Sequence, residues 1–227
     1  MSLITLFKLA RHETRFAWFR FRLHTLRFFS GLGDSGWLLH GLVRSQKPDV
    51  AVEIGSAHGY STCLLALALE QNMRGHLWAI DPHEENHWSD DNARDTFDAI
   101  NRNLEAMGEA SRRVTIIRHR TKGAEHLLPA EIDLAFIDGD HGYESVKHDW
   151  ECLRTRMRAF GIIVFHDTLW DRNHKDPYYA KWRRNNMGVP KLLEELRLQG
   201  YPVVTIDQDW GITLVQATVH GESFCGK

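Results

Sequence analysis

From residue 48 onward, short unbroken apolar runs alternate with longer stretches in which apolar residues return every three or four positions. The runs are DVAVEIG (49–55), GHLWAID (75–81), RVTIIRH (113–119), IDLAFID (132–138) and AFGIIVFHD (159–167). Between them, YSTCLLALALEQN (60–72), DNARDTFDAINRNLEAMG (91–108) and YESVKHDWECLRTRM (143–157) read as helices, and a short helix is expected near 122–128. In the 91–108 stretch Phe97, Ile100, Leu104 and Met107 share one face. Strands buried on both faces show unbroken apolar runs, and helices between them imply parallel pairing. The pattern predicts a doubly wound, Rossmann-like α/β domain.

The alternation stops near the end. After a helix at VPKLLEELRLQ (189–199), the runs YPVVTID and WGITLVQAT follow with only a turn between them. Two strands that close together pair antiparallel, so the seven-stranded sheet should finish in a β-hairpin. Upstream, Asp34 to Ser45 reads as a helix capped by Asp34 or Ser35, and Pro48 breaks it. The expected organisation is a helical extension over 1–47 and one domain over 48–227, with an insert at about 168–188.

Bulk numbers narrow the partners. With 43% hydrophobic and 26% charged residues, the chain has the make-up of an ordinary globular protein. A net charge of −2 and a pI near 6.7 give no whole-chain attraction to DNA. Cys63, Cys152 and Cys225 are widely spaced and form no CxxC pair, so reduced thiols and a cytoplasmic address are expected. No apolar run is long enough to span a membrane. The N-terminal stretch LFKLARHETRFAWFRFRLHTLRFFSG differs from this average. Arginines interrupt its apolar residues and no small-residue cleavage site follows, so it does not read as a signal peptide. As a helix it carries Lys8, Arg11, Arg15 and Arg22 on one stripe and Phe7, Ala10, Ala17, Phe21 and Phe28 on the neighbouring face. Three roles fit that pattern: packing on its own domain or on a second copy as a homo-oligomer contact, lying on a membrane surface as a peripheral contact, or docking an acidic substrate or RNA.

Four segments carry candidate chemistry. VEIGSAHGYST (52–62) is a strand, a turn and a helix start, where glycine lets a ligand approach the backbone. Counted from Gly55, a GxGxxG dinucleotide pattern meets Ala57 and then Tyr60 instead of glycine, which disfavours a nicotinamide cofactor. AIDPHEE (79–85) ends the second strand with Asp81, placed as a ribose-binding carboxylate would be. His83, His87 and Trp88 follow, suited to stacking on adenine or to a solvated loop. FIDGDHGYE (136–144) and GIIVFHDT (161–168) end successive strands in acid and imidazole. Helix capping is the bland account of that pattern; a metal or acid/base site is the sharper one. Glu144 fits the first turn of its helix.

In this order, and with the terminal hairpin, the four segments resemble a class I S-adenosylmethionine-dependent methyltransferase. More narrowly, they resemble the branch with IDGDHSYE-like and HDT-like segments, which includes sugar and small-molecule O-methyltransferases and cephalosporin hydroxylase-like proteins. The resemblance covers roughly residues 48 to 216. It implies that Glu53 and Gly55 line the methionine end of S-adenosylmethionine with Ser56 and Ser61 nearby, that Asp81 binds the ribose hydroxyls, and that Asp138 sits by the sulfonium and the acceptor. Ala57 stands where many members have glycine, and His58 is bulky for its place. Metal-dependent relatives imply a divalent cation, Mg²⁺ or Mn²⁺, on Asp138 and Asp167, with Asp140 and His166 alongside. The other mechanism left open uses His141 or His166 as a general base.

The implied function is O-methylation of a hydroxylated small-molecule, sugar or glycan acceptor. RNA or protein methylation, or a non-catalytic cofactor-binding interaction module, stand as alternatives. In the insert, Trp170, Tyr178, Tyr179 and Trp182 could stack on an acceptor ring and Arg183 and Arg184 hold an anion, or the segment is a solvated loop.

Overall fold

The computed structural model describes residues 21, 23–26, 30–84, 96–170 and 187–217. Among the described residues, besides the helical positions 21 and 23–26, five α-helices and seven strands follow the order the sequence predicts: α1 (Ser35–Gln46), β1 (Val50–Ile54), α2 (Tyr60–Asn72), β2 (His76–Ile80), α3 (Phe97–Ala106), β3 (Val114–Ile117), β4 (Ile132–Ile137), α4 (Tyr143–Arg154), β5 (Met157–His166), α5 (Gly188–Leu198), β6 (Val203–Ile206) and β7 (Ile212–Gln216). They form one mixed sheet with strand order β3-β2-β1-β4-β5-β7-β6. The first five strands pair in parallel, and β7 runs antiparallel to both β5 and β6. The terminal hairpin lies where the sequence puts it.

Side chains alternate across the sheet and build one core on each face. Val52, Ile137 and Phe165 point to the face covered by α4 and α5, where Trp150, Leu153, Leu192, Leu193 and Leu196 are buried. Ala51, Leu134, Phe136 and Val164 point to the other face, beneath Leu39 and Val43 of α1, Leu64 and Leu69 of α2, and Ile100 and Leu104 of α3. Each fully buried leucine or isoleucine contributes on the order of 2 kcal/mol, which anchors the helices that carry the site. Leu23 and Leu26 are buried in this second core, so that part of the N-terminal segment packs on its own domain.

Two local expectations shift. α4 ends at Arg154 rather than 157, because Met157 already pairs with Ile132 as the first residue of β5. At the start of α1, neither Asp34 nor Ser35 supplies the cap. The Ser35 amide donates instead to Asp209 of the β6–β7 turn at 2.9 Å, and the Ser35 hydroxyl does so at 3.1 Å. A cap from so far along the chain ties α1 to the hairpin beside the site. No helix among the described residues is long and apolar enough to cross a membrane. The 1–20 part of the aromatic and basic stretch, His87, Trp88, Cys225, and Tyr178, Tyr179, Trp182, Arg183 and Arg184 of the insert lie outside the described residues.

Candidate active site

Register brings the site together. Ile54 pairs with Ile80 on one side and Ile137 on the other, and Ile137 pairs with Phe165. These four residues form a row across the carboxyl ends of β2, β1, β4 and β5. One residue further along each chain come Asp81, Gly55, Asp138 and His166. The four signature segments therefore meet at one edge of the sheet, where doubly wound folds bind their ligands.

The β1–α2 turn crosses the β4–α4 turn in backbone contact. Gly55 has φ of +86°, and a Cβ there would lie 2.1 Å from the Asp138 carbonyl oxygen, so only glycine fits. Asp81 fixes the same turn: one carboxylate oxygen accepts from the Ser56 and Ala57 amides at 2.8 Å each, and the other from the His83 amide at 2.7 Å. A carboxylate offers about four acceptor sites, which leaves room for a ribose hydroxyl beside these three bonds. Ser56 and Ser61 line the cleft, and the Ser56 hydroxyl has no hydrogen-bond partner among the described residues.

Glu53 lies beneath this turn rather than on the cleft wall. It is 0% exposed, and the Thr62 hydroxyl donates to its Oε2 at 2.6 Å. Burial raises its pKa to about 8, helped by the charges of Asp138 and Asp81 and opposed by hydrogen bonds from Ser61 and Thr62. His83 is also buried, with its ring against Phe97 and Nδ1 2.8 Å from the Thr96 hydroxyl, an arrangement that serves packing rather than stacking on a base.

Beyond Asp138 the site becomes a cluster of two acids and two imidazoles. His141 Nε2 lies 2.6 Å from Asp167 Oδ2 and 3.9 Å from Asp138 Oδ1. His166 Nδ1 lies 3.2 Å from Asp138 Oδ1 and 3.5 Å from Asp167 Oδ1. Burial alone would lower both histidine pKa values, but the charges and hydrogen bonds of Asp167 and Asp138 more than reverse it and raise them. Asp167 is pulled the opposite way: its burial is outweighed by the two imidazoles, and its pKa falls below the ordinary carboxylate range. One oxygen each from Asp138 and Asp167 and one nitrogen of His141 lie within 4.8 Å of one another, a set able to hold a cation.

Neighbouring elements pin this cluster. Asp167 adopts φ of +56°, a conformation aspartate tolerates better than most residues. The Gly188 amide, at the start of α5, donates to the His141 carbonyl at 3.1 Å, and a Cβ on Gly188 would strike that oxygen at 2.3 Å. Trp170 lines the cleft beside Asp167 and stacks on Trp210 of the hairpin at 4.7 Å between ring centroids. Asp140 is not drawn into the cluster. Its carboxylate accepts from the Gly142 amide at 2.8 Å and the Ser145 hydroxyl at 3.1 Å, which ties it to the turn that leads into α4. Tyr143 likewise turns away and donates to Glu195.

The whole cleft encloses about 980 Å³. Asp138, His141, His166, Asp167 and Trp170 line it together with the Gly55 turn, Asp81, Thr121 and Asp149. Asp149 was not singled out by the sequence reading. Its signal was there: an acid on the α4 face shared by Val146, Trp150 and Leu153, all buried.

The fold and this edge are those of a methyltransferase. Residues 52–168 match a family model described as methyltransferase domain, and the chain belongs to that family, with the architecture of a class I S-adenosylmethionine-dependent methyltransferase. Among solved structures, a Podospora anserina methyltransferase, PaMTH1, with S-adenosylhomocysteine bound, is similar at 17% identity with a TM-score of 0.65, over 95% of this chain and 96% of that one. The O-methyltransferase TomG from Streptomyces achromogenes, in complex with S-adenosylmethionine, gives 21% identity and 0.61 over 82% and 80%. An O-methyltransferase from Bacillus cereus, in complex with S-adenosylhomocysteine, gives 18% and 0.58 over 85% and 87%. The Sinorhizobium fredii protein y4gI is 25% identical over 142 residues, which are 59% of this chain and 15% of that protein.

Proposed function

We propose that this chain transfers the methyl group of S-adenosylmethionine to a hydroxyl oxygen of a small acceptor, with a divalent cation held by Asp138, His141 and Asp167. The observation that carries this reading is the donor set at the ends of β4 and β5. Its separations of 2.6 and 3.9 Å bracket the roughly 3 Å between adjacent ligands of a cation with bonds of about 2.1 Å. Two carboxylates match the charge of one divalent ion. His141 adds nitrogen to a set the sequence suggested was all oxygen, which shifts the preference from Mg²⁺ toward Mn²⁺. His166 stands behind Asp138 and fixes the carboxylate through its hydrogen bond, the usual role of an outer partner.

Methyl transfer is an in-line displacement at a sulfonium, so the chain's task is to align the acceptor oxygen and make it a better nucleophile. A divalent cation at the cluster supplies Lewis acidity that makes a neighbouring hydroxyl more acidic. The Gly55 turn sets the cofactor against Asp138 through backbone contact. Trp170 walls the acceptor end and offers a flat apolar surface to a ring, aromatic or sugar. The acids at this end disfavour a polyanionic acceptor such as RNA.

A second reading makes His141 a general base oriented by Asp167, favoured by their 2.6 Å contact. Because Asp167 holds that imidazole protonated above its usual range, activity by this route would rise with pH. Transfer of labelled methyl groups to a panel of catechols, hydroxylated rings and sugars, with chelator and with Mn²⁺ restored, tests both. Labelling that chelator abolishes and Mn²⁺ restores supports the cation; labelling indifferent to chelator leaves His141.

A further inference from the structure

We propose that Asp209 is a positioning residue for the acceptor: it straps the β6–β7 turn to the segment before α1 and so seats Trp210 behind Trp170. This rests on the proposed function, in which Trp170 meets the acceptor, and adds what holds that wall in place.

The strap consists of two hydrogen bonds. Asp209 Oδ2 accepts from the Ser35 amide at 2.9 Å and from the Ser35 hydroxyl at 3.1 Å. The first amides of a helix have no partner within it, so a carboxylate brought there gains both hydrogen bonds and the favourable end of the helix dipole. Gly33 lets it come close, since a Cβ there would lie 2.7 Å from the Asp209 carboxylate. The segment tied in this way belongs to the cleft. Ser30 and Gly31 line it, and a Cβ on Gly31 would lie 3.8 Å from the His166 ring. The Tyr60 hydroxyl, also on the cleft wall, donates to the Gly33 carbonyl at 2.9 Å.

On its other side the turn holds the chain that follows Asp167. The Thr168 amide donates to the Gly211 carbonyl at 3.3 Å, and the Leu169 amide to the Trp210 carbonyl at 2.9 Å. Trp170 comes next, and its ring stacks on Trp210 at 4.7 Å with 16° between the planes. Asp209, Trp210 and Gly211 all have positive φ, at 45°, 66° and 88°. A bulky residue such as tryptophan rarely adopts that conformation, and it persists only where its surroundings impose it. The contacts with Thr168 and Leu169 impose it from one side and the Asp209 strap from the other. Without the strap, Trp210 is free to relax toward negative φ and to withdraw its ring from Trp170. The sheet is untouched by that change, because β7 stays paired with β5 from Ile212 to Gln216.

The test compares wild type, Asp209→Gly, Asp209→Asn, Trp170→Ala and the double variant Asp209→Gly/Trp170→Ala. Glycine keeps the positive φ accessible, so only the carboxylate is lost. Methyl transfer is measured with Mn²⁺ and the best-used acceptor of the catechol, hydroxylated-ring and sugar panel, and S-adenosylhomocysteine binding by calorimetry. Asp209→Gly should raise the acceptor KM about fivefold, with kcat and S-adenosylhomocysteine affinity within about twofold of wild type. Asp209→Asn keeps an oxygen that accepts from Ser35 and should restore the wild-type KM. On the Trp170→Ala background, Asp209→Gly should raise KM no further, because the two residues act in series. If Asp209→Gly does not fold, Ser35→Ala takes its place, with a KM rise of about twofold that again disappears on the Trp170→Ala background. An unchanged KM in the folded variant, or an equal rise on both backgrounds, would overturn the proposal. A wild type that binds S-adenosylhomocysteine but methylates no member of the panel would overturn the acceptor reading, and this inference with it.

Discussion

His141, on the loop after β4, closes onto Asp167 at the end of β5, with Nε2 2.6 Å from Oδ2. The contact joins two loops that the sheet merely sets side by side, and it turns two acidic strand ends into a three-donor cluster.

His166 supports that cluster without belonging to it. Its Nδ1 reaches Asp138 at 3.2 Å while its ring is 2% exposed. His166→Ala is expected to lower methyl transfer by roughly 10- to 100-fold, because outer partners of metal ligands have effects of that size. S-adenosylhomocysteine affinity measured alongside should stay near wild type.

Gly55 has no room for a side chain, with the Asp138 carbonyl 2.1 Å from any Cβ and φ at +86°. Gly55→Ala should destabilise the fold by about 1–3 kcal/mol in urea unfolding and weaken cofactor binding at the same time. A stable variant with normal affinity would mean the two turns can move apart.

Glu53 gives a pH signature of stability. Its carboxyl titrates near 8 when buried and near 4.5 when unfolded, so the folded chain keeps a proton the unfolded chain has lost. Between those values the Glu53 contribution falls as pH rises, by roughly 1.4 kcal/mol per unit. Glu53→Gln removes this loss. The stability of the variant relative to wild type should therefore increase from about pH 5 to about pH 8, as read by denaturant unfolding; a constant difference would show that Glu53 ionises freely.

Trp170 lines the cleft that also holds Asp138, His141 and Asp167, and the proposed function gives it the acceptor. Trp170→Ala should raise the acceptor KM by about tenfold or more and leave S-adenosylhomocysteine affinity unchanged. Loss of cofactor affinity instead would mean that the Trp170–Trp210 stack holds up the whole rim.

What the sequence made legible were the features written in local pattern. Apolar runs located the strands, their lengths put Asp81, Asp138 and His166 at matching ends, and the missing glycines argued against a dinucleotide. Other features depend on how separate loops settle in space. Asp140 and Asp138 are two positions apart, yet Asp138 joins the acid–imidazole cluster while Asp140 is held by the Gly142 and Ser145 donors. Asp209 caps α1 across 174 positions, a distance at which no period survives. His141 reaches Asp167 because Gly188 of α5 holds its backbone, and nothing near residue 141 records that contact. Glu53 was legible as a motif acid, but its burial under α2 was not, since the alternation of β1 does not say which helix lies above it.

The proposed cation is held by Asp138, His141 and Asp167 beside the methyl donor. Its most direct test is titration of Mn²⁺ into the S-adenosylhomocysteine-loaded protein by calorimetry, with Asp167→Asn and His141→Ala run in parallel. One Mn²⁺ per chain in wild type, weakened at least about tenfold in each variant, is the result expected. No Mn²⁺ uptake by wild type, or equal uptake by all three proteins, would contradict it.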